Sequence, residues 1–190
     1  MNLCIIGPSG SGKGTQAKKI AAKYKLTHIS TGELLRQILK TAKEDQTTQK
    51  IRHYLKLGQW VPSDIIFAIL KNKLKDNFLL DGTPRYLKQC SMLEKLLKSR
   101  ELKLDACIYL TLSRKEWERR RKFYGDKFQD KTRNDNSPEI QEKRWRSGEK
   151  TLDKIVAYYR NLNKLIEIDG NRPVEPIFQD TVAALDSLKK

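Results

Sequence analysis

The chain has 190 residues, 38% hydrophobic and 33% charged, a balance that supports one folded domain with a sizeable core and excludes an intrinsically disordered chain. With 39 Lys and Arg against 23 Asp and Glu the net charge is +16, which makes phosphorylated ligands or other polyanions the natural partners. Cys4, Cys90 and Cys107, with His28 and His53, show neither CxxC nor metal-ligand spacing, so no zinc site is expected and the thiols read as buried and free.

In chain order, LCII (3–6) is a strand-sized apolar run that stops at Gly7 and Pro8. It is too short to span a membrane and lacks the basic lead of a secretion signal, so the expected location is cytoplasmic. GPSGSGKGTQ (7–16) follows directly. Its glycines let successive backbone N–H groups converge on an anion where a helix begins, and Lys13 adds a point charge, which is the GxxxxGK pattern of a phosphate loop. That loop normally continues with a Ser or Thr that helps to hold magnesium, whereas Gly14 stands here and Thr15 comes one residue late. The metal is then expected to be held by nucleotide phosphates and water, oriented by a carboxylate at a neighbouring strand end. Asp81, which closes FLLD (78–81), is the candidate.

Further strand-sized runs lie at THIS (27–30), ACIYLTL (106–112) and KLIEI (164–168), with helical spacing over 13–24, 31–40, 47–57, 63–75, 86–99, 114–122, 138–161 and 174–188. The alternation predicts an α/β P-loop fold of three layers, a five-stranded parallel sheet with helices on both faces. Two segments depart from strict alternation: the helices between THIS and FLLD, and the polar stretch 122–136. Both are expected to overhang one cleft at the carboxyl ends of the strands.

GPSGSGKGTQ, STGELLR (30–36), GQWVPSDII (58–66), LLDGTPR (79–85), RND (133–135) and Arg144 together resemble the adenylate kinase family of nucleoside monophosphate kinases, of the short-lid type, over nearly the whole chain. Gly14 then ceases to be an anomaly, since GKGT characterises that family. The resemblance implies one kinase domain over 1–190, with an acceptor-nucleotide lobe at about 31–60 and a lid at about 122–132 as insertions. It also implies a monomer that uses magnesium with ATP and no zinc, and that transfers the γ-phosphoryl group to AMP to give two ADP. Neither a membrane nor nucleic acid is expected as a partner.

Such a reaction asks little covalent chemistry of the protein, because the acceptor monophosphate is already an ionised nucleophile. Two polyanions must be brought in line, their charge neutralised and water kept out. The resemblance implies that ATP lies on Gly10, Ser11, Gly12, Lys13, Gly14 and Thr15, with its base on an Arg of ERRRK (118–122), Arg121 first and Arg119 second. It implies that AMP is enclosed by Thr31, Gly32, Arg36, Gln59, Val61, Gly82, Arg85 and Gln89, with Trp60 and Pro62 as a hinge or wall. Lys13, Arg85, Arg133 and Arg144 would serve the transferring group, Asp135 would orient one of these arginines, and Asp81 would reach magnesium through water. Gln89 suits an adenine edge, where Asn accompanies pyrimidine acceptors. Thr83 stands where the family usually carries an aromatic, which keeps a CMP or UMP kinase open as an alternative. The charge keeps open another, a basic P-loop factor acting on RNA or ribosomal particles.

Overall fold

Four short runs rich in Leu and Ile, and a fifth, more polar one, pair into a single parallel sheet. The computed structural model describes residues 1–124 and 137–188. In it β1 (Leu3–Ile6), β2 (Thr27–Ser30), β3 (Phe78–Asp81), β4 (Ala106–Leu110) and β5 (Leu165–Ile168) lie in the order β2-β3-β1-β4-β5. Leu3 is level with Leu79 on one side and Ala106 on the other, Ser30 with Asp81, and Leu110 with Ile168. Parallel neighbours need crossover connections, and helices supply them. These are α1 (Lys13–Tyr24), α2 (Thr31–Thr41), α3 (Gln46–Lys56), α4 (Ser63–Lys71), α5 (Leu87–Lys98), α6 (Arg114–Tyr124), α7 (Pro138–Asn161) and α8 (Val174–Ser187).

The pleat sorts the core into two layers. Cys4, Ile6, Phe78, Leu80 and Cys107 face α4, α5 and α7, whereas Leu3, Ile5, Leu79, Ala106 and Ile108 face α1 and α8. Burial on both faces explains why these strands read as continuous apolar runs instead of alternating. Ile20 on α1 and Leu93 on α5 are both fully buried, each worth roughly 1.5–3 kcal/mol of transfer free energy. The helical run expected over 63–75 stops at Lys71. Lys73 and Leu74 both turn their N–H groups onto the Leu70 carbonyl, and Asn77 at φ 60 swings the chain into β3.

All three cysteines are free and buried, as expected, and they meet around one tyrosine. Cys4 and Cys107 are level on β1 and β4, and Cys90 reaches in from α5. Burial pushes the Cys90 thiol up to about 12 and raises the Tyr159 hydroxyl further still, so both stay neutral at physiological pH. Tyr159 is fully buried, and among the described residues its hydroxyl meets only the weakly bonding Cys90 thiol. Tyr159→Phe should therefore leave the unfolding free energy in urea unchanged or raise it by about 1 kcal/mol. A clear loss of stability would show that the hydroxyl is bonded.

Candidate active site

Gly12 opens α1 at φ 88, a left-handed conformation that glycine adopts without strain, and no side chain caps the helix. The first N–H groups of α1 are thus left for an external anion. Lys13 braces the bend from within, its Nζ donating to the carbonyls of Gly7 at 2.9 Å and Pro8 at 2.7 Å. The Ser11 hydroxyl is buried in the same loop without a hydrogen-bond partner among the described residues, an orphan that a phosphate oxygen would satisfy.

β3 runs beside β1 and delivers Asp81 to this bend. Asp81 Oδ2 lies 3.6 Å from where a Cβ on Gly14 would stand, and 3.8 Å from His28 Nε2 on β2. Burial works against the carboxylate charge, but the His28 imidazole and the Lys13 and Arg85 cations together hold the group below its ordinary range. Asp81 is therefore ionised at neutral pH. No group of three or more metal-ligating side chains occurs among the described residues. One charged oxygen donor beside a phosphate loop fits a hard cation that arrives already coordinated by phosphates, and not one held in a protein cage.

The start of α2 is pinned to the end of β3 by Thr31 Oγ1, which donates to the Asp81 carbonyl at 3.1 Å. Gly82 follows at φ 87, and a Cβ there would stand 2.6 Å from Thr31 Oγ1, so only glycine allows this approach. Arg36 folds back along α2 until Nη1 is 3.3 Å from the corresponding point on Gly32. Beyond the cis Thr83–Pro84 bond, Arg85 donates through Nε to the Gly82 carbonyl at 2.8 Å, and Thr151 Oγ1 of α7 donates to the Arg85 carbonyl at 2.9 Å. Gln89 Oε1 accepts from the Arg85 N–H at 2.8 Å, and its Nε2 donates to Ser63 Oγ at 3.2 Å. Each end of that amide keeps one further hydrogen-bonding position.

On the opposite wall, Trp117 of α6 and Trp145 of α7 pack with ring centroids 5.0 Å apart. Because Trp117 is buried, the residues three and four further on share its inward face, while Arg119 at two further on leaves that packed face for the rim of the cavity. Arg119 is accordingly 60% exposed and paired to Glu116, and Arg121 lies 4.9 Å over the Trp117 ring. Arg120, which lies between the two arginines expected at the donor base, donates to the carbonyls of Gly170 at 2.6 Å and Arg172 at 3.3 Å. Its signal was available in the helical offset from Trp117.

These walls enclose a cavity of about 740 Å³, and every expected site residue that falls within the described residues lines it except Pro62, which faces a separate surface hollow beside α3. Lys13 and Asp81 lie at its floor, Arg36, Gln59, Val61 and Gln89 on one side, and Arg119, Arg121 and the buried Arg144 on the other. Arg133, Asp135 and residues 125–132 of the expected lid lie outside the described residues.

A family model described as adenylate kinase matches residues 5–164. The chain belongs to the adenylate kinase family. Among similar curated proteins, the adenylate kinase of Archaeoglobus fulgidus is 30% identical over the full length of both chains. That of Nitrobacter hamburgensis is 32% identical over 98% of this chain and 92% of its own, and that of Streptococcus mutans is 34% identical over 99% and 100%. Against the family pattern given above, the cleft keeps the phosphate loop and its cations and departs at Thr83, which is buried at 1% exposure.

Glu116 organises the arginines of the second wall, accepting from Arg119 Nε at 2.6 Å and Arg120 Nε at 2.8 Å. The Arg119 hydrogen bond, joined by that of Arg120, lowers its carboxyl to about 2. A lowered folded-state value stabilises the fold above the unfolded value near 4.3, and that contribution is lost as pH falls. Glu116→Gln should lower the melting temperature at pH 7, with the gap from the unaltered protein closing between about pH 4 and pH 2. A gap independent of pH would contradict the ion pairing.

Proposed function

We propose that the cleft performs the adenylate kinase reaction with the following division of labour. The chain transfers the γ-phosphoryl group of ATP to AMP, reversibly, giving two ADP. The observation that carries this reading is the convergence of a phosphate loop with Lys13, Arg36, Arg85 and Arg144 in one cavity. ATP lays its phosphates along the N–H groups of residues 10–15, and its base lies against Arg120 and Arg121 beside Trp117. AMP enters the side formed by α2 and the segment before α4, where Arg36 grips its phosphate and the remaining positions of Gln89 meet the adenine edge. Lys13, Arg85 and Arg144 neutralise the group in flight, which is electrostatic catalysis by preplaced cations. No general base is required, since the acceptor oxygen is already ionised.

Magnesium supplied with ATP would neutralise charge on the transferring phosphates. Asp81, held as a carboxylate beside Gly14, would orient that ion through water. The segment 31–60 serves as acceptor lobe and 122–132 as lid, whose role is to exclude water; Arg133 would serve the transferring group and Asp135 would orient an arginine. No helix among the described residues is long and apolar enough to cross a membrane, and the buried free thiols suit a reducing compartment. We place the enzyme in the cytoplasm as a monomer.

The test is incubation with magnesium and ATP and each of AMP, CMP, UMP and GMP, following diphosphate formation. Rapid turnover with AMP is expected. Turnover with a pyrimidine monophosphate alone would move the assignment to a CMP or UMP kinase, and turnover with none would remove it. Arg85→Ala should lower kcat by about 10²–10³ with an unchanged melting temperature, because it removes charge stabilisation and little packing. An unimpaired enzyme would contradict the role given to Arg85.

A further inference from the structure

One aromatic on the acceptor side has no part in the chemistry above. Trp60 lies between α3 and α4 and lines the cavity next to Gln59 and Val61. Its ring covers the Arg85 guanidinium, whose Cζ sits 3.9 Å from the ring centroid while Nε is bonded to the Gly82 carbonyl at 2.8 Å. Arg85 is thus held between the backbone of the β3–α5 turn and an indole face. Stacking of this kind leaves the in-plane N–H donors of a guanidinium directed outward, the geometry that a phosphate needs.

Two further observations point to a ligand at the same place. The Trp60 Nε1–H is buried, yet it has no hydrogen-bond partner among the described residues, a donor that an acceptor atom would satisfy. Thr83, on the same cavity wall, is too small to cover a base, and Val61 and Ile66 are packed into the core with little surface left over. Trp60 is therefore the large aromatic surface available on the acceptor side. A purine covers more of an indole than a pyrimidine does, so such a wall discriminates between acceptors by area.

We propose that Trp60 is a specificity-determining residue of the acceptor site, which holds the Arg85 guanidinium toward the acceptor phosphate and gives a purine nucleoside monophosphate the aromatic wall that Thr83 does not provide. This rests on the nucleoside monophosphate kinase reading above. Trp60 acts on phosphate through Arg85, and on the nucleotide directly through its ring and Nε1–H. The ATP side is built from the phosphate loop, α6 and the start of α8, and does not depend on it.

Steady-state kinetics of Trp60→Leu, Trp60→Phe and Trp60→Leu combined with Thr83→Phe test the assignment. Trp60→Leu should raise KM for AMP about tenfold, the size of a partly desolvated cation–π contact, with KM for ATP unchanged. Its preference for AMP over CMP should fall with it. Trp60→Phe, which keeps a ring and loses the N–H, should lie between, and Thr83→Phe should recover most of the loss in the double variant. Tryptophan emission of the unaltered protein should change on titration with AMP alone, and this change should vanish in Trp60→Phe, which retains Trp117 and Trp145. An active parent whose KM for AMP is unmoved by Trp60→Leu would overturn this proposal and leave the kinase reading intact. An equal rise in both KM values, or an emission change that survives in Trp60→Phe, would also overturn it. A parent that neither binds nor turns over AMP would remove both. Should Trp60→Leu unfold at the assay temperature, the emission titration decides the matter without it.

Discussion

The bend between Ile6 and Lys13 is the constraint on which the rest of the cleft depends. It has to turn from the central strand into a helix while keeping a row of N–H groups uncapped, and Gly12 at φ 88 with Lys13 bonded to the Gly7 and Pro8 carbonyls achieves both. Since β1 is the middle strand, its neighbours bring their own ends to the same edge. Asp81 arrives from β3 on one side, and the turn after β4 leads on the other side to α6 with Trp117 and its arginines. The parallel sheet is what makes groups far apart in sequence neighbours at the site.

Gathering Lys13, Arg36, Arg85 and Arg144 in one cavity works against folding, because like charges repel more strongly where water is scarce. The structure offsets this locally. Asp81 sits among these cations as a carboxylate, the Arg85 guanidinium is stacked on Trp60 and bonded to the Gly82 carbonyl, and Lys13 is bonded to loop carbonyls. Bound phosphates relieve the same repulsion, so nucleotides stabilise the folded chain through the groups that they engage. The wider excess of lysine lies mostly on exposed helix faces, where repulsion is screened.

Much of the fold was legible because each strand is a short, mostly apolar run closed by Gly, Asp or Ser and followed by helical spacing. THIS was the weakest of these runs, and β2 proves to be an edge strand, which tolerates polar residues. Site residues carried by ordered motifs were legible as candidates, and those in the lining of the cavity come together there from several elements. What the sequence did not display are pairings made by tertiary structure: His28 against Asp81, Trp60 over Arg85, and the Gln89 amide already half engaged by Arg85 and Ser63. These join residues between 4 and 53 positions apart through strand register and side-chain stacking, for which one sequence offers no period to read. Arg120 differs, since its inward direction follows from a three-residue offset to Trp117.

The most direct test of the account is a crystal structure of the chain with magnesium and ADP. Diphosphate oxygens are expected within hydrogen-bond distance of the N–H groups of residues 10–15, with Lys13 moved from the loop carbonyls onto phosphate and the guanidiniums of Arg85 and Arg144 directed at the terminal phosphate. Phosphates bound elsewhere, with the bend between Ile6 and Lys13 unchanged and Lys13 still on the Gly7 and Pro8 carbonyls, would contradict it.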